Sequence, residues 1–198
     1  MKPDTFVELE DDYIQVYEQI AKGYNVMLDD DIGEPKKYRR LVNYLFNATD
    51  NDVFNITLNT QGGSLSGAIQ IIEAIKATKA SVSAIILGEC HSAGSIIALN
   101  CHNIIVADSA HMMIHTASYG TGGNTGNVKK HVDFSTKMID KLIDTTYKVF
   151  LNTTEIAEVK KGVEFWFDAK EITKRLKAKF SDVEEKKTKK TKPEILVE

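Results

Sequence analysis

The chain has 198 residues, 42% of them hydrophobic, which is an ordinary composition for one globular domain. A formal net charge of −3 argues against a protein that binds nucleic acid by neutralising phosphates, and two cysteines are too few for a disulfide framework. No stretch is long enough to span a bilayer and no signal peptide is recognised, so we expect a cytoplasmic protein without nucleic-acid or membrane partners.

Strands and helices alternate in the first part of the predicted chain. Residues 1–22 are predicted to form a separate N-terminal segment whose apolar spacing would suit a short helix. A strand is predicted over 24–28 and a second over 53–58, and Pro35 suits the first turn of the helix between them. A buried stripe at helical spacing is predicted there, formed by Tyr38, Leu41, Val42, Leu45 and Phe46.

Two glycines follow the second predicted strand directly. Gly62 and Gly63 precede Ser64, which would cap a helix over 65–78, so the segment is typical of a tight strand-to-helix turn. Glycine lets the backbone approach a bound group and aim its amides at it. The simpler alternative is an ordinary loop.

The next strand, predicted over 82–87, leads into a turn from Gly88 to Ser95 and a helix that continues to about 100. A serine at such a turn, here Ser92, has its hydroxyl lifted clear of the sheet beside the free amides of the first helical turn. The alternative is that Ser92 simply caps the helix. With a strand over 103–107, the order predicts an α/β fold with a mostly parallel sheet, whose sites lie at the carboxyl ends of the strands.

A short strand over 112–115 ends in His115, just before a polar, glycine-rich segment. Most lone histidines are structural or solvated, and this alternative stays open when His115 is considered by itself. A long helix is predicted over about 127–151, and an aromatic strand-like segment over 164–169 contains Asp168 as the cap of a last helix to about 176. Residues 181–198 are rich in Lys, Glu and Thr and are predicted to be a disordered, solvated tail.

Taken together, these motifs resemble those of the proteolytic subunit of the Clp protease, a family of self-compartmentalising serine peptidases with the crotonase-like fold. The resemblance covers about residues 24–176. It depends on the glycine pair with Ser64, the Gly88-x-x-x-Ser92-x-Gly94 pattern, the run Met113-Ile114-His115, and the Trp166–Ala169 segment with Glu171. Their shared order and separation make the combination specific, although each motif alone is weak.

The resemblance implies a catalytic role for several residues. Ser92 matches the family's nucleophile and His115 its general base, and Gly63 and Ala93 match the residues whose amides form the oxyanion hole. The family normally has an aspartate as the third member, whereas the matching residue here is Glu164.

Two alternatives to Glu164 remain. Asp168, four residues further on, could be the acid instead, although it aligns with the residue that caps the last helix. The acid could also be weak or absent, which would leave a slower enzyme.

The family resemblance also implies an assembly. We expect stacked rings joined through the long helix, with active sites in an inner chamber that admits short or unfolded polypeptides, and no cofactor for bond cleavage. The protease domain would cover 23–180. An ATP-dependent unfoldase partner is a weaker expectation, because residues 1–22 match no pore-loop feature and 175–182 lack the family's closing strand.

Other site chemistries agree less well with the sequence. The pairs Cys90-His91 and Cys101-His102 would lie about 16 Å apart along a helix, too far to share a metal ion, so we expect no metal and buried thiols. An α/β-hydrolase would need glycine where Cys90 stands and an acid before its histidine. A lysine base in place of His115 is not required.

Two alternatives from other functional classes remain. One is an acyl-CoA hydratase or isomerase of the same fold, and the other is an inactive ring subunit with a scaffold role.

Overall fold

The computed structural model describes residues 21–177. The predicted helix spacing before residue 21 and the predicted tail over 181–198 therefore lie outside the described residues. Within 21–177, no helix is both long and apolar enough to cross a bilayer.

Six strands and six α-helices make up the described chain. The strands are β1 Gly23–Leu28, β2 Val53–Thr60, β3 Ser81–His91, β4 Asn103–Val106, β5 His111–Ile114 and β6 Phe165–Asp168. The helices are α1 Arg39–Phe46, α2 Leu65–Ala77, α3 Ala93–Leu99, α4 Thr125–Tyr147, α5 Thr153–Lys160 and α6 over 169–177, with a 3₁₀ turn at Pro35–Tyr38 before α1.

The strands form one mixed six-stranded sheet in the order β1-β2-β3-β5-β6, and β4 also pairs with β3. All pairs are parallel except β5 with β6, which is antiparallel. The predicted α/β fold with a mostly parallel sheet is confirmed. Because parallel strands end at the same edge, the carboxyl ends of β2, β3 and β5 come together there, and this edge carries Gly63, Ser92 and His115.

The core lies between one face of the sheet and the helices. Phe54, Ile56 and Leu58 alternate along β2 and are fully buried, as the period of two in a strand requires. The apolar faces of α2 and α3 cover the same side, where Ile72 and Ile97 are also fully buried. The opposite face of the sheet keeps Met27, on β1, largely exposed.

Three sequence predictions need correction, and one helix was not predicted. The strand predicted to end at residue 87 continues to His91, because its end pairs with β5. Phe46 does not belong to the buried stripe, since it is 58% exposed at the end of α1. The long helix ends at Tyr147 rather than near 151, and a separate helix, α5, was missed. The sequence marked its start, because Asn152 and Glu155 form a capping box.

Candidate active site

Ser92 is the single residue between β3 and α3. Its backbone has φ 51° and ψ −115°, and it is the only residue other than glycine with positive φ in the described part of the chain. A conformation of this kind is unfavourable for a residue with a side chain and is kept only where the surroundings fix it. The Ser92 amide donates to the Met113 carbonyl oxygen of β5 at 2.9 Å, which ties the turn to the neighbouring strand. The sequence therefore forms a sharp elbow with Ser92 at its tip.

Gly62 and Gly63 pass beside this elbow with φ of 108° and 134°, values that favour glycine. A Cβ atom on Gly62 would lie 2.7 Å from the Ser92 Cβ and 3.2 Å from the Ala93 amide nitrogen. The Gly62 amide donates to Thr60 Oγ1 at 3.1 Å. Gly62 thus approaches the elbow closely and lies next to the start of α3.

Ile32 fixes the other side of the glycine pair. Its amide donates to the Gly62 carbonyl oxygen and its carbonyl oxygen accepts from the Ser64 amide, both at 2.6 Å. Ser64 then caps α2 by accepting from the Gly67 amide at 3.2 Å. The peptide that carries the Gly63 N–H is therefore held by Ile32 through the Gly62 carbonyl oxygen. Gly62 lies beside Ala93, whose amide, as that of the first residue of α3, has no partner within its helix.

His115 directly follows β5 and reaches the elbow. Its Nε2 lies 2.8 Å from Ser92 Oγ, a hydrogen-bond distance between two half-buried side chains. If the serine hydroxyl donates, Nε2 accepts and the other ring nitrogen, Nδ1, carries the proton. The contact joins residues that end adjacent parallel strands, which is why the sequence pattern could indicate both.

Glu164, just before β6, is the carboxylate that contacts His115. Its Oε1 lies 3.8 Å from His115 Nδ1, longer than a hydrogen bond, and its side chain is 54% exposed. Asp168 pairs with His111 at the other end of β6, about 13 Å along the strand from that position. Its Oδ1 accepts from the Glu171 amide at 2.8 Å as a helix cap. The structure thus brings Glu164, and not Asp168, to the histidine.

Arg175 holds the strand that precedes α6 and was missed by the sequence analysis. Its guanidinium makes two hydrogen bonds to Glu155, at 2.8 and 2.9 Å, and a third to Glu171 at 2.8 Å. It also lies over the rings of Phe150 and Phe167, with the Phe167 centroid 4.7 Å away. Because Phe167 belongs to β6, this cluster fixes the strand that follows Glu164.

Cys90 and Cys101 are both free thiols, and Cys90 is fully buried. Burial raises the pKa of the Cys101 thiol to about 12 and that of the fully buried Cys90 thiol further. Cys90 lies in β3 and Cys101 follows α3, which has 7 residues, so the two cysteines are not joined by one continuous helix as the sequence analysis assumed. Among residues 21–177 no group of three or more potential ligands could hold a metal ion.

The sequence profile of the Clp protease family matches residues 8–194. The chain belongs to the Clp protease family. An ATP-dependent Clp protease proteolytic subunit from Streptococcus mutans is 26% identical over 168 residues, 80% of this chain and 84% of that protein. The subunit of the same name from Streptococcus uberis is 27% identical over 79% of this chain and 83% of its own length.

A third relative of this Clp family member is more similar over a shorter region. The ATP-dependent Clp protease proteolytic subunit of Streptococcus pyogenes serotype M5 is 30% identical over 115 residues, which is 56% of this chain and 58% of that protein. These three relatives are 26–30% identical to this chain.

Proposed function

We propose that this chain is a serine endopeptidase that hydrolyses peptide bonds of short or unfolded polypeptides. The observation that carries the proposal is the 2.8 Å contact between His115 Nε2 and Ser92 Oγ at a turn with positive φ. A serine hydroxyl becomes an effective nucleophile when a histidine within hydrogen-bond reach can take its proton. Membership of the Clp protease family supports the same conclusion.

In the proposed reaction, Ser92 Oγ attacks the peptide carbonyl carbon while His115 Nε2 accepts the serine proton. In this proposal the amides of Gly63 and Ala93 stabilise the negative charge that develops on the carbonyl oxygen, which the approach of the neighbouring Gly62 to Ser92 and Ala93 supports. When the C–N bond breaks, His115 returns the proton to the leaving amine. Water activated by the same histidine then releases the acyl group from Ser92, and no cofactor is needed.

Glu164 is the proposed third member. A carboxylate beside His115 Nδ1 favours the tautomer in which Nε2 accepts, and it stabilises the imidazolium that forms during attack. A movement of about 1 Å would convert the 3.8 Å contact into a hydrogen bond, and an exposed side chain can make that movement. Glu164 can therefore serve in place of the family's usual aspartate.

We further propose that the protein works as stacked rings in the cytoplasm. Helix α4 has 23 residues, yet its buried residues are confined to its last two turns. Phe134 and Met138, one helical turn apart, are 65% and 48% exposed.

The sheet face opposite the helices also has exposed apolar side chains, which are those of Met27, Leu87 and Ile105. Parallel sheets are usually covered on both faces. Both surfaces suit contacts with further copies, and the names of the relatives favour an ATP-dependent unfoldase as partner.

The test is reaction of the purified protein with a fluorophosphonate probe, followed by mass spectrometry to locate the adduct. We expect the adduct on Ser92, absent in Ser92→Ala and strongly reduced in His115→Ala. His111→Ala is the matched control, because His111 begins β5, the strand that His115 follows, but has no contact with Ser92 among its described interactions. Absence of an adduct from a folded, oligomeric wild type would refute the proposal.

A second candidate, a slow or inactive ring subunit with a scaffold role, is favoured by the 3.8 Å gap at Glu164. It predicts normal assembly but neither a Ser92 adduct nor hydrolysis of a small peptide substrate. The probe experiment, run on protein whose size has been measured by light scattering, separates the two. An assembled but unreactive protein supports the scaffold role.

A further inference from the structure

Two hydrogen bonds connect the end of the long helix α4 to the elbow that carries Ser92. Ser95 Oγ donates to the Ser92 carbonyl oxygen at 2.7 Å. The same Oγ lies 3.1 Å from the hydroxyl oxygen of Tyr147, the last residue of α4. Ser95 and Tyr147 are 52 positions apart in the chain, so this serine hydroxyl joins two distant segments.

The direction of the second hydrogen bond follows from the first. A serine hydroxyl has one proton, and here Ser95 gives it to the Ser92 carbonyl, so Ser95 Oγ can only accept from Tyr147. Burial raises the pKa of Tyr147, which keeps the phenol protonated as a donor. Ser95 and Tyr147 are 0% and 1% exposed, so bulk water cannot replace either partner.

The elbow depends on bonds of this kind because its backbone conformation is unfavourable. On one side, the Ser92 amide is held by the Met113 carbonyl oxygen at 2.9 Å. On the other, the Ser92 carbonyl oxygen accepts from Ser95 Oγ and from the Ile96 amide at 3.2 Å. The orientation of the Ser92 side chain toward His115 is set by these two peptide planes.

We propose that Tyr147 is a positioning residue for the nucleophile. Its hydroxyl fixes the Ser95 hydroxyl, which fixes the Ser92 carbonyl and so the direction of Ser92 Oγ. This inference rests on the proposed role of Ser92 in catalysis. It also gives the long helix a direct connection to the reaction centre, because a displacement of the last turn of α4 would break the same chain of bonds.

The first test is Tyr147→Phe, which removes one hydroxyl and keeps the ring. We expect the maximal rate of Ser92 acylation by the fluorophosphonate probe to fall about five- to tenfold, as for loss of one buried hydrogen bond, with the half-saturating probe concentration unchanged. Ser95→Ala should slow acylation by a similar factor. Because both variants break one chain, the double variant should be no slower than Ser95→Ala alone.

Thr146→Val is the matched control. Thr146 is 2% exposed in the same helical turn, and its hydroxyl accepts from Asn100 Nδ2 at 3.4 Å, which also joins α4 to the end of α3. That contact does not reach Ser92, so the acylation rate should stay within twofold of wild type. Equal slowing by Thr146→Val and Tyr147→Phe would mean that general packing of the helices matters, and would overturn the proposal.

A second measurement does not depend on catalysis. Hydrogen–deuterium exchange of peptides that cover residues 88–97 should be faster in Tyr147→Phe than in wild type and unchanged in Thr146→Val. If the fluorophosphonate probe does not react with Ser92 in wild type, the proposed function fails. The exchange rates over residues 88–97 still test whether Tyr147 positions the elbow. The positioning role of Tyr147 is overturned if exchange over residues 88–97 is the same in Tyr147→Phe as in wild type. It is also overturned if exchange becomes faster in Tyr147→Phe while the acylation rate of a reactive protein stays unchanged. If Tyr147→Phe does not fold, Ser95→Ala is measured in its place.

Discussion

Gly62 lies directly against Ser92. A Cβ atom on Gly62 would sit 2.7 Å from the Ser92 Cβ and 2.9 Å from the His91 carbonyl oxygen, and its φ of 108° already disfavours any other residue. Gly62→Ala should therefore displace the elbow and break the contact between Ser92 and His115. We expect acylation of Ser92 to slow by about 100-fold, since a displacement of about 1 Å is enough for that loss. The measurement is the rate of probe labelling.

Gly23→Ala is the control for that variant. A Cβ atom on Gly23 has nothing within 4 Å, so the added methyl group should leave both labelling and folding close to wild type. The free energy of unfolding of Gly62→Ala should fall by about 1–3 kcal/mol, the usual size for a residue forced into unfavourable backbone angles. Wild-type labelling by a folded Gly62→Ala protein would show that the elbow does not depend on this contact.

Glu164→Gln tests the acid of the proposed triad. The change keeps the shape but removes the negative charge 3.8 Å from His115 Nδ1, so the imidazolium loses its stabilising partner. Because the contact is longer than a hydrogen bond, we expect kcat/KM for a small peptide to fall by about 10- to 100-fold, short of the loss seen with tightly bonded acids. Steady-state hydrolysis gives this value.

Asp168→Asn is informative beside Glu164→Gln because it changes the rival carboxylate. Asp168 caps α6 through the Glu171 amide at 2.8 Å, and asparagine caps nearly as well as aspartate. Asp168→Asn should keep kcat/KM within about twofold, whereas Asp168→Ala should lower the free energy of unfolding by about 1 kcal/mol. A larger loss of activity in Asp168→Asn than in Glu164→Gln would move the acid to Asp168.

The sequence predicted features that depend on local pattern. The strands predicted over 24–28 and 53–58 lie within β1 and β2, and Ser92 and His115, which follow adjacent strands, come within 2.8 Å of each other. Strand positions and strand-to-helix turns can be predicted because both are encoded within a few neighbouring residues.

Other features depend on contacts between distant segments. Arg175 meets Glu155 across 20 residues and Ser95 meets Tyr147 across 52, and no local pattern indicates either pair. Phe46 has the spacing of a buried residue, yet α1 ends there and leaves it exposed. The separation between Glu164 and His115 depends on the register of β5 with β6, which the sequence alone does not specify.

Glu155→Gln should weaken the Arg175 clamp, which is the set of hydrogen bonds from Arg175 to Glu155 and Glu171. It should also make the free energy of unfolding depend less on pH in the acid range. Hydrogen bonds from Arg175 hold the pKa of Glu155 below its ordinary value. A lowered carboxyl pKa contributes stability above about pH 4.3, where the unfolded chain ionises, and that contribution disappears as pH falls through the folded pKa. At pH 7 we expect a loss of about 2–4 kcal/mol in the free energy of unfolding, measured in urea.

The difference between wild type and Glu155→Gln should narrow as the pH is lowered from 5 toward 3. Lys161 and Glu158 form an exposed pair at 2.8 Å on the same stretch, so Glu158→Gln is a control in which stability at pH 7 should change by less than about 0.5 kcal/mol. Equal losses in the two variants would assign the effect to net charge instead of to the Arg175 clamp.

His91, the residue before Ser92, should make the protein less stable in mild acid. Its ring is 6% exposed, packs edge-on against Trp166 at 5.1 Å, and has no hydrogen-bond partner at Nε2 among the described residues. Burial, and then the nearby His111, lower the pKa of His91, while Glu89 opposes the shift. Below about pH 6.5, His91 binds a proton in the unfolded chain but stays neutral in the folded chain. The free energy of unfolding therefore decreases as the pH falls, until the pH is below the pKa of His91 in the folded protein.

His91→Phe removes this titration and keeps an aromatic ring against Trp166. At pH 7.5 we expect the free energy of unfolding of His91→Phe to stay within about 1 kcal/mol of wild type, because Nε2 makes no hydrogen bond among the described residues that the substitution would remove. As the pH falls from 7 to 5, the variant should become progressively more stable than wild type. Trp166→Ala uncovers the His91 ring and should reduce the acid-dependent loss without removing the histidine. Parallel urea-unfolding profiles for wild type and His91→Phe from pH 7 to 5 would show that burial of this imidazole has no effect on stability.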